Sequence, residues 1–249
     1  PTPAQSLRNP QSVDRRKHQH RHRRSHCLHC LGPATCCHPV LRGTHASQPT
    51  MSPGMQAAHE RLHEDVEEVL FSQEDISLKL KDLGTSVARD YADKQPVVMP
   101  ILKGGFIVAA DLLRSIDPVP DGMEVEFVHA SSYGAGTETS GTVEVSFRKE
   151  AVKDRHVLLV DDLCDSGLTL YEVARHVKEA GATSVKSLVL LDKLARRKVE
   201  ITPDYIGFDC PNKWVIGNGM DTAQIYRSLP YIGVMTKEAQ QRFISGIKK

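Results

Sequence analysis

The sequence predicts an α/β protein with a doubly wound, mainly parallel sheet. Short apolar stretches alternate with amphipathic helical patterns between residues 72 and 192, as is typical of βαβ units. Two of these stretches, residues 156–163 and 185–192, are nearly continuous in their apolar character, as strands buried on both faces are. Polar or glycine-rich turns follow the strands, at the edge where such sheets bind ligands.

The first elements follow from apolar spacing and capping residues. Spacing typical of helices predicts a surface helix over residues 57–70. Ser72 and Asp75 predict the start of a second helix, and its buried stripe should be Ile76, Leu80, Leu83, Val87 and Tyr91. Residues 97–102 form a short apolar strand that ends in a Lys-Gly-Gly turn, and residues 106–116 resume the helical period.

Strands dominate the remainder of the chain. Residues 123–130 and 142–148 alternate in polarity, and the glycine-rich stretch 131–141 between them predicts a mobile loop. The strand over residues 156–163 leads into a helix that begins near Ser166 and stops at Gly181. After the strand 185–192, three shorter strands are expected, over residues 204–209, 214–217 and 231–235.

Charge divides the chain into two segments. The net charge is +1 over 249 residues, yet residues 1–56 contain eight Arg or Lys and a single acid, Asp14. The rest is therefore acidic, which excludes a uniformly basic protein that wraps nucleic acid. We expect residues 1–56 to be a disordered tail and residues 57–249 to form the folded domain.

The basic segment permits several interpretations. Its Arg-rich composition is typical of an organelle transit peptide, and an upstream extension that precedes the true start is an alternative. A zinc site is a weaker alternative, with Cys27, Cys30, Cys36, Cys37 and His38 as ligands. The Arg and His run could also bind polyanions, although it lacks interleaved aromatic residues.

Other features indicate the compartment. No apolar stretch reaches the ~20 residues that a membrane-spanning helix needs, so we expect no membrane insertion. Only Cys164 and Cys210 lie beyond the basic segment, which favours a reducing compartment without a disulfide framework. The expected location is the cytoplasm, or an organelle if residues 1–56 are a transit peptide.

The most informative block is residues 160–169, VDDLCDSGLT. A phosphate can bind the N–H groups of its Ser-Gly loop and the positive end of the helix that follows. Asp161, Asp162 and Asp165 must then face ribose hydroxyls, magnesium or a basic nitrogen, so a sugar phosphate is the expected ligand. A polar turn capped by Ser166 would explain the loop but not three acids in five positions.

This block resembles the phosphoribosyl-diphosphate motif of type I phosphoribosyltransferases. Further stretches are similar to bacterial-type hypoxanthine (guanine) phosphoribosyltransferases, namely residues 102–106, 131–134, 191–193, 207–209 and 226–234. The similarity spans about residues 66–236. It implies a small C-terminal hood subdomain beside the sheet. It also implies a purine-salvage enzyme that makes IMP or GMP from hypoxanthine or guanine and phosphoribosyl diphosphate.

The resemblance implies a division of the phosphoribosyl diphosphate site. The 5′-phosphate would bind Ser166, Gly167, Leu168 and Thr169. Asp161 and Asp162 would bind the ribose hydroxyls and, with Asp221, Mg²⁺. Lys103, Gly104 and Arg227 would bind the diphosphate, with a non-proline cis peptide bond between Leu102 and Lys103.

The resemblance also assigns the purine end. Asp165 would be the catalytic acid or base beside the purine N7, and Lys193 would donate to the exocyclic O6. Trp214 would stack on the base and the Val215 backbone would contact its edge. Ser132 and Tyr133 belong to a loop expected to close and exclude water.

Some positions depart from the family pattern. Asp161 stands where many relatives have Glu, which keeps the charge but shortens the reach. The stretches 210–212 (CPN) and 218–220 (NGM) differ from the usual Ile-Pro-acid and Tyr-Gly-Leu patterns. These changes concern the choice among purines more than the chemistry.

The sequence leaves three alternative functions. Another type I enzyme, for adenine or orotate, is disfavoured by Lys193 and the Trp214 block. A phosphoribosyl-diphosphate-sensing regulator would need a DNA-binding domain, and residues 1–56 show no helix-turn-helix period. An enzyme tethered to nucleic acid by its basic tail is the third. The expected partners are small-molecule substrates and further copies of the chain, in a homodimer or homotetramer, without a specific nucleic acid or a membrane.

Overall fold

The computed structural model describes residues 60–132 and 143–246. The basic tail and its Cys27–His38 cluster therefore lie outside the described residues, as do Tyr133 and most of the glycine-rich loop. The described part contains ten strands, which form two sheets, and four complete α-helices.

The larger sheet carries seven strands in the order β5-β4-β2-β6-β7-β8, with β3 beside β2. Its strands are β2 (Val97–Leu102), β3 (Glu124–Val125), β4 (Val128–Ser132), β5 (Val143–Ser146), β6 (His156–Cys164), β7 (Ser184–Asp192) and β8 (Tyr205–Asp209). All neighbours are parallel except β4 and β5. The expected doubly wound, mainly parallel sheet is thus confirmed, although residues 123–130 form two short strands rather than one.

Helices cover both faces of this sheet. Helices α1 (Gln73–Asp90) and α2 (Gly105–Ser115) pack on one face, whereas α3 (Leu168–Glu179) packs on the other. Successive strand residues point to opposite faces of the sheet. Leu158 belongs to the hydrophobic core under α1 and α2, and Leu159 belongs to the core under α3. Because α2 follows β2 and α3 follows the adjacent β6, the chain leaves these strands toward opposite faces. A crevice therefore opens between their carboxyl ends.

Helix α1 begins as the sequence predicts. Ser72 Oγ accepts a hydrogen bond from the Asp75 amide at 3.1 Å, and the Asp75 carboxylate accepts one from the Ser72 amide at 2.9 Å. This reciprocal capping box satisfies two N–H groups that the helix start would otherwise leave unpaired. All five residues of the predicted apolar stripe, Ile76 through Tyr91, are buried.

The smaller sheet forms the hood. It joins β1 (Val66–Phe71), β10 (Ile232–Met235) and β9 (Val215–Ile216), all antiparallel. A short helix, α4 (Lys237–Ile244), closes the described chain. The expected hood is confirmed, but it recruits a strand from the N-terminal side of the domain as well as C-terminal strands.

One element was predicted wrongly. Residues 60–64 are helical, but Val66–Phe71 is a strand rather than the end of a helix over residues 57–70. The apolar spacing is compatible with both structures over so short a segment. Pairing with β10, which lies more than 160 residues further along the chain, decides in favour of the strand.

Within residues 60–132 and 143–246, no helix combines the length and apolar character needed to cross a bilayer.

Candidate active site

Parallel pairing brings the carboxyl ends of β2, β6, β7 and β8 to one edge of the larger sheet. There the chain leaves β2 at Lys103, β6 at Asp165, β7 at Lys193 and β8 at Cys210. A cavity of about 660 Å³ opens at this edge. Its lining includes these expected site residues: Gly104, Asp161, Asp162, Asp165, Ser166, Thr169, Lys193, Trp214, Val215, Asp221 and Arg227.

Two buried carboxylates, Asp161 and Asp162, face this cavity. Asp161 Oδ1 accepts a hydrogen bond from the Asp162 amide at 3.0 Å. Burial raises the pKa of Asp161 well above its usual range, and the charge of Asp162 raises it further. Burial also raises the pKa of Asp162, while Arg227 acts in the opposite direction on both pKa values. The pair therefore favours a ligand that supplies positive charge or hydroxyl donors.

Gly104 allows the turn after β2 to approach Asp162 closely. A Cβ at this position would lie 2.2 Å from Asp162 Oδ2 and 2.5 Å from its Oδ1. Any side chain at residue 104 must therefore displace the carboxylate. The peptide bond between Leu102 and Lys103 is cis, as expected from the family resemblance.

The loop after β6 has the form expected of a phosphate site. Gly167 adopts a left-handed conformation, with φ of 79°, at the start of α3. Ser166 Oγ accepts from the Leu168 amide at 3.4 Å. Gly167 lines a second, smaller cavity of about 90 Å³ that shares Asp161, Asp165 and Thr169 with the first. The loop thus presents small residues and the N-terminus of a helix to the cavity edge.

Asp165 has an unsatisfied oxygen at this edge. Its Oδ1 atom is buried and makes no hydrogen bond within the described residues. Its Oδ2 atom lies 3.4 Å from the Arg196 guanidinium, whose side chain is half exposed. A buried acceptor without a partner is costly unless a ligand or water supplies a donor. Asp165 is therefore poised to accept from a bound molecule.

Arg197 fixes the backbone beside Asp165. Its guanidinium donates to the carbonyl oxygens of Cys164 and Asp165, each at 3.3 Å, and forms an ion pair with Asp192. Arg197 and Asp192 are both largely buried. The ends of β6 and β7 are thereby tied together directly beside the site.

Lys193 and Trp214 both line the cavity. The Lys193 side chain is buried, and its Nζ donates to the Lys213 carbonyl oxygen at 2.9 Å. Trp214 lines the cavity, and its Nε1 donates to Thr222 Oγ1 at 2.9 Å. The Trp214 carbonyl accepts from the Met235 amide at 2.8 Å. A flat aromatic surface and a buried cation thus occur together.

Cations converge on the loop that contains Asp221. Arg227 forms an ion pair with Asp221 at 2.7 Å and donates to the Gly219 carbonyl at 2.6 Å. Lys103 Nζ donates to Gln224 Oε1 at 3.2 Å. Lys103 itself does not line the cavity, but this hydrogen bond places its charge beside the Asp221 loop.

The remaining expected site residues have different positions. Ser132 ends β4, and its side chain lies outside the described residues, as does the whole of Tyr133. Leu168 is the first residue of α3. Asn212 and Met220, from the two stretches that depart from the family pattern, also line the cavity. Sequence analysis did not identify four further lining residues: Arg196, Lys198, Lys213 and Gln240. The basic run 196–198, which begins three residues after Lys193, was a signal for the first two.

The donor set fits a hard divalent cation that takes most of its ligands from substrate and water. The residues described contain no group of three or more His, Cys, Asp or Glu that could hold a metal alone. The buried pair Asp161 and Asp162 offers carboxylate oxygens as ligands. Their pKa values are raised, and a bound cation would lower them again. Mg²⁺ typically binds through one or two carboxylates together with substrate phosphates.

Comparison with known proteins identifies the class. A family model described as the phosphoribosyl transferase domain matches residues 68–223. The chain belongs to the phosphoribosyltransferase family, consistent with a doubly wound sheet that brings an acidic pair and a phosphate-type loop to one edge.

Its similar relatives specify the branch. The hypoxanthine-guanine phosphoribosyltransferase of Bacillus subtilis is 40% identical over 172 residues, which cover 69% of this chain and 94% of that protein. A hypoxanthine phosphoribosyltransferase crystal structure from Staphylococcus aureus matches with a TM-score of 0.67 and 34% identity, over 72% of this chain and 96% of that one. The chain thus groups with the bacterial-type hypoxanthine-guanine phosphoribosyltransferases.

A longer relative also matches. The bifunctional protein TilS/HprT of Listeria monocytogenes is 41% identical over 181 residues, which cover 72% of this chain. The chain spans 28% of the length of that relative.

Proposed function

We propose that the protein transfers a phosphoribosyl group from 5-phosphoribosyl 1-diphosphate to a 6-oxopurine, forming IMP or GMP and releasing diphosphate. The main support for this proposal is a single cavity. It is lined by the Asp161–Asp162 pair and the segment 165–169, and also by Trp214 and the buried Lys193. A sugar phosphate fits the first group, and a flat base with an acceptor fits the second.

The reaction displaces diphosphate from the anomeric carbon. A purine nitrogen forms the new bond to that carbon as the bond to the diphosphate oxygen breaks, and the diphosphate leaves with the electron pair. Negative charge grows on the leaving group, where Lys103 and Arg227 provide positive charge. The amide groups of the 166–169 loop hold the 5′-phosphate, and Asp161 and Asp162 accept from the ribose hydroxyls.

Magnesium, held by Asp161, Asp162 and Asp221 with the substrate's own oxygens, would supply charge neutralisation at the diphosphate. Asp221 is already paired with Arg227 in this structure, so we assign the larger share of protein ligation to the buried pair.

The purine end follows from hydrogen-bond complementarity. Lys193 has donors but no acceptor, so it favours a 6-oxo group and would leave a 6-amino group unsatisfied. Trp214 stacks on the base and the Val215 backbone contacts its edge. Asp165 accepts the proton of the purine N7 as the base becomes a nucleotide, which gives its unpartnered Oδ1 a donor.

The proposal is tested by incubating the purified protein with phosphoribosyl diphosphate, magnesium and hypoxanthine or guanine. We expect nucleotide and diphosphate to appear in equal amounts. Tight binding of phosphoribosyl diphosphate without turnover would instead support the sensing function and contradict the proposal.

Replacing Gly104 by Ala should weaken phosphoribosyl diphosphate binding. The new Cβ would collide with the Asp162 carboxylate, because the ideal position lies 2.2 Å from Oδ2. Displacement of groups that support a metal site typically costs about 10- to 100-fold, so we expect the KM for phosphoribosyl diphosphate to rise by that factor in steady-state assays.

Gly246→Ala controls for backbone strain without a contact at the site: an added Cβ there meets no atom within 4 Å, but the φ of 72° makes the substitution strained. We expect its KM to match the wild type. A wild-type KM in Gly104→Ala, with Asp162 still required, would show that the close approach has no functional importance.

Residues 1–54 should be dispensable for activity. The family match begins at residue 68, and the described elements of the domain begin at residue 60. We therefore propose that the domain is contained within residues 57–249, and that the protein lacking residues 1–54 keeps wild-type kcat/KM and thermal stability. Misfolding or inactivity of the truncated protein would refute this boundary.

We propose a homodimer or homotetramer with small-molecule substrates, located in the cytoplasm. Organelle import through residues 1–56 is the alternative, and fluorescence microscopy of the tagged full chain distinguishes the two locations.

A further inference from the structure

The chain contains a single tryptophan, Trp214, and its indole tip has one defined polar partner. Trp214 lines the cavity and packs at the edge of the hood cluster formed by Ile216 and Met235 with neighbouring residues. Its Nε1 donates to Thr222 Oγ1 at 2.9 Å. We infer that Thr222 is a positioning residue that holds the Trp214 ring in the orientation required for base stacking. This inference rests on the proposed function, because that function assigns the base to Trp214.

Thr222 is suited to this role because it is held on a short, well-defined hairpin. Its amide donates to the Ile225 carbonyl at 3.3 Å, and the Ile225 amide donates back to the Thr222 carbonyl at 3.1 Å. The two intervening residues, Ala223 and Gln224, have φ values of 51° and 67°. Two successive left-handed residues form the tight turn that matches a twisted hairpin. Thr222 is also more than nine-tenths buried.

The hydrogen bond restrains the indole ring of Trp214. The backbone is already fixed, since the Trp214 carbonyl accepts from the Met235 amide. Rotation about the ring torsion is soft for aromatic side chains. A rotated ring would leave both the indole N–H and the Thr222 hydroxyl without their partners, which carries a desolvation cost. One ring orientation is therefore favoured.

The same hydrogen bond joins Trp214 to the loop that contains Asp221. Thr222 directly follows Asp221, whose Oδ2 accepts from the Gln224 amide at 2.7 Å and whose Oδ1 pairs with Arg227. The ring that we assign to the purine is thus anchored to the loop that we assign to the diphosphate. This link depends on an indole N–H and a hydroxyl acceptor, so Phe at position 214 or Val at position 222 would remove it.

The test compares Thr222→Val, which keeps the side-chain shape, with Thr222→Ser, which keeps the hydroxyl. A hydrogen bond of this kind contributes about 0.5–1.5 kcal/mol, which corresponds to about 2- to 12-fold in affinity. In Thr222→Val we expect the KM for hypoxanthine or guanine to rise by that factor. The KM for phosphoribosyl diphosphate should change less than about twofold. Thr222→Ser should restore the wild-type purine KM.

Fluorescence of the single tryptophan provides a readout that does not require turnover. Trp214 in unliganded Thr222→Val should show a shifted emission maximum and greater quenching by acrylamide, whereas Thr222→Ser should match the wild type. If emission and quenching are unchanged in Thr222→Val, the inference is wrong, whether or not the protein uses purines. If they change but the purine KM does not, the bond exists without positioning the base, and the inference is also wrong.

A second set of variants separates the hydrogen bond to Trp214 from the other contacts of Thr222. Trp214→Phe keeps an aromatic ring but cannot donate to residue 222. On that background, Thr222→Val should cause no further rise in the purine KM, because the interaction is already absent. A full additional rise would assign the Thr222 effect to another contact and overturn the inference.

Discussion

Replacing Asp165 by Asn should lower kcat by about 10² to 10⁴, the range that general acid-base groups contribute. Asn keeps the size and one hydrogen-bonding oxygen but cannot take or return a proton. Asp165 lines the cavity, and its buried Oδ1 atom has no hydrogen-bond partner in the residues described, so no protein donor competes with a substrate N–H for this carboxylate oxygen. Steady-state kinetics with saturating phosphoribosyl diphosphate measure the effect, and nucleotide affinity should change little.

Asp162→Asn is the matched comparison, since it makes the same chemical change on the carboxylate that lies against Gly104 and is assigned to ribose and metal binding. Its losses should appear in the KM for phosphoribosyl diphosphate and in the magnesium requirement. Identical kinetic patterns in the two variants would contradict the division of roles, and full turnover in Asp165→Asn would exclude this mechanism.

Replacing Lys193 by Ala should lower kcat/KM for 6-oxopurines by about 10- to 150-fold. Hydrogen bonds to charged groups contribute about 1.5–3 kcal/mol, which converts to that range. The Lys193 side chain is buried and reaches the Lys213 carbonyl at 2.9 Å. Binding of phosphoribosyl diphosphate, measured by calorimetry, should be nearly unchanged because Lys193 is assigned only to the base.

Lys178→Ala is the control for Lys193→Ala. Lys178 is exposed in the last turn of α3, at the end of that helix opposite the phosphate loop. We expect wild-type kinetics from it. Equal losses of purine and phosphoribosyl diphosphate binding in Lys193→Ala would give Lys193 a role other than base selection.

Much of the architecture follows from local sequence. The capping box at Ser72, the apolar stripe of α1 and the buried strands β6 and β7 are properties of neighbouring residues, so periodicity and capping rules identify them. The Val66–Phe71 strand is different because its partner is β10, at the other end of the domain. No local pattern encodes that pairing.

The site likewise contains residues that local sequence predicts and residues that only tertiary contacts bring there. Asp161, Asp162, Asp165 and the Ser-Gly loop are contiguous in sequence and could be predicted as one motif. Arg197 was missed because its role depends on backbone carbonyls brought to it by the fold. Gln240 lies in the last helix and reaches the cavity only through the packing of the hood, and the Trp214–Thr222 hydrogen bond likewise depends on a tertiary contact.

The most direct test of the central claim is the ratio of kcat/KM for hypoxanthine or guanine to that for adenine, measured on the wild-type protein with phosphoribosyl diphosphate and magnesium. A buried donor that meets a 6-amino group loses its partner, and sites built around such donors discriminate strongly. We expect the better 6-oxopurine to exceed adenine by about 10²-fold or more. Comparable use of adenine, or no nucleotide from any purine, would contradict the account.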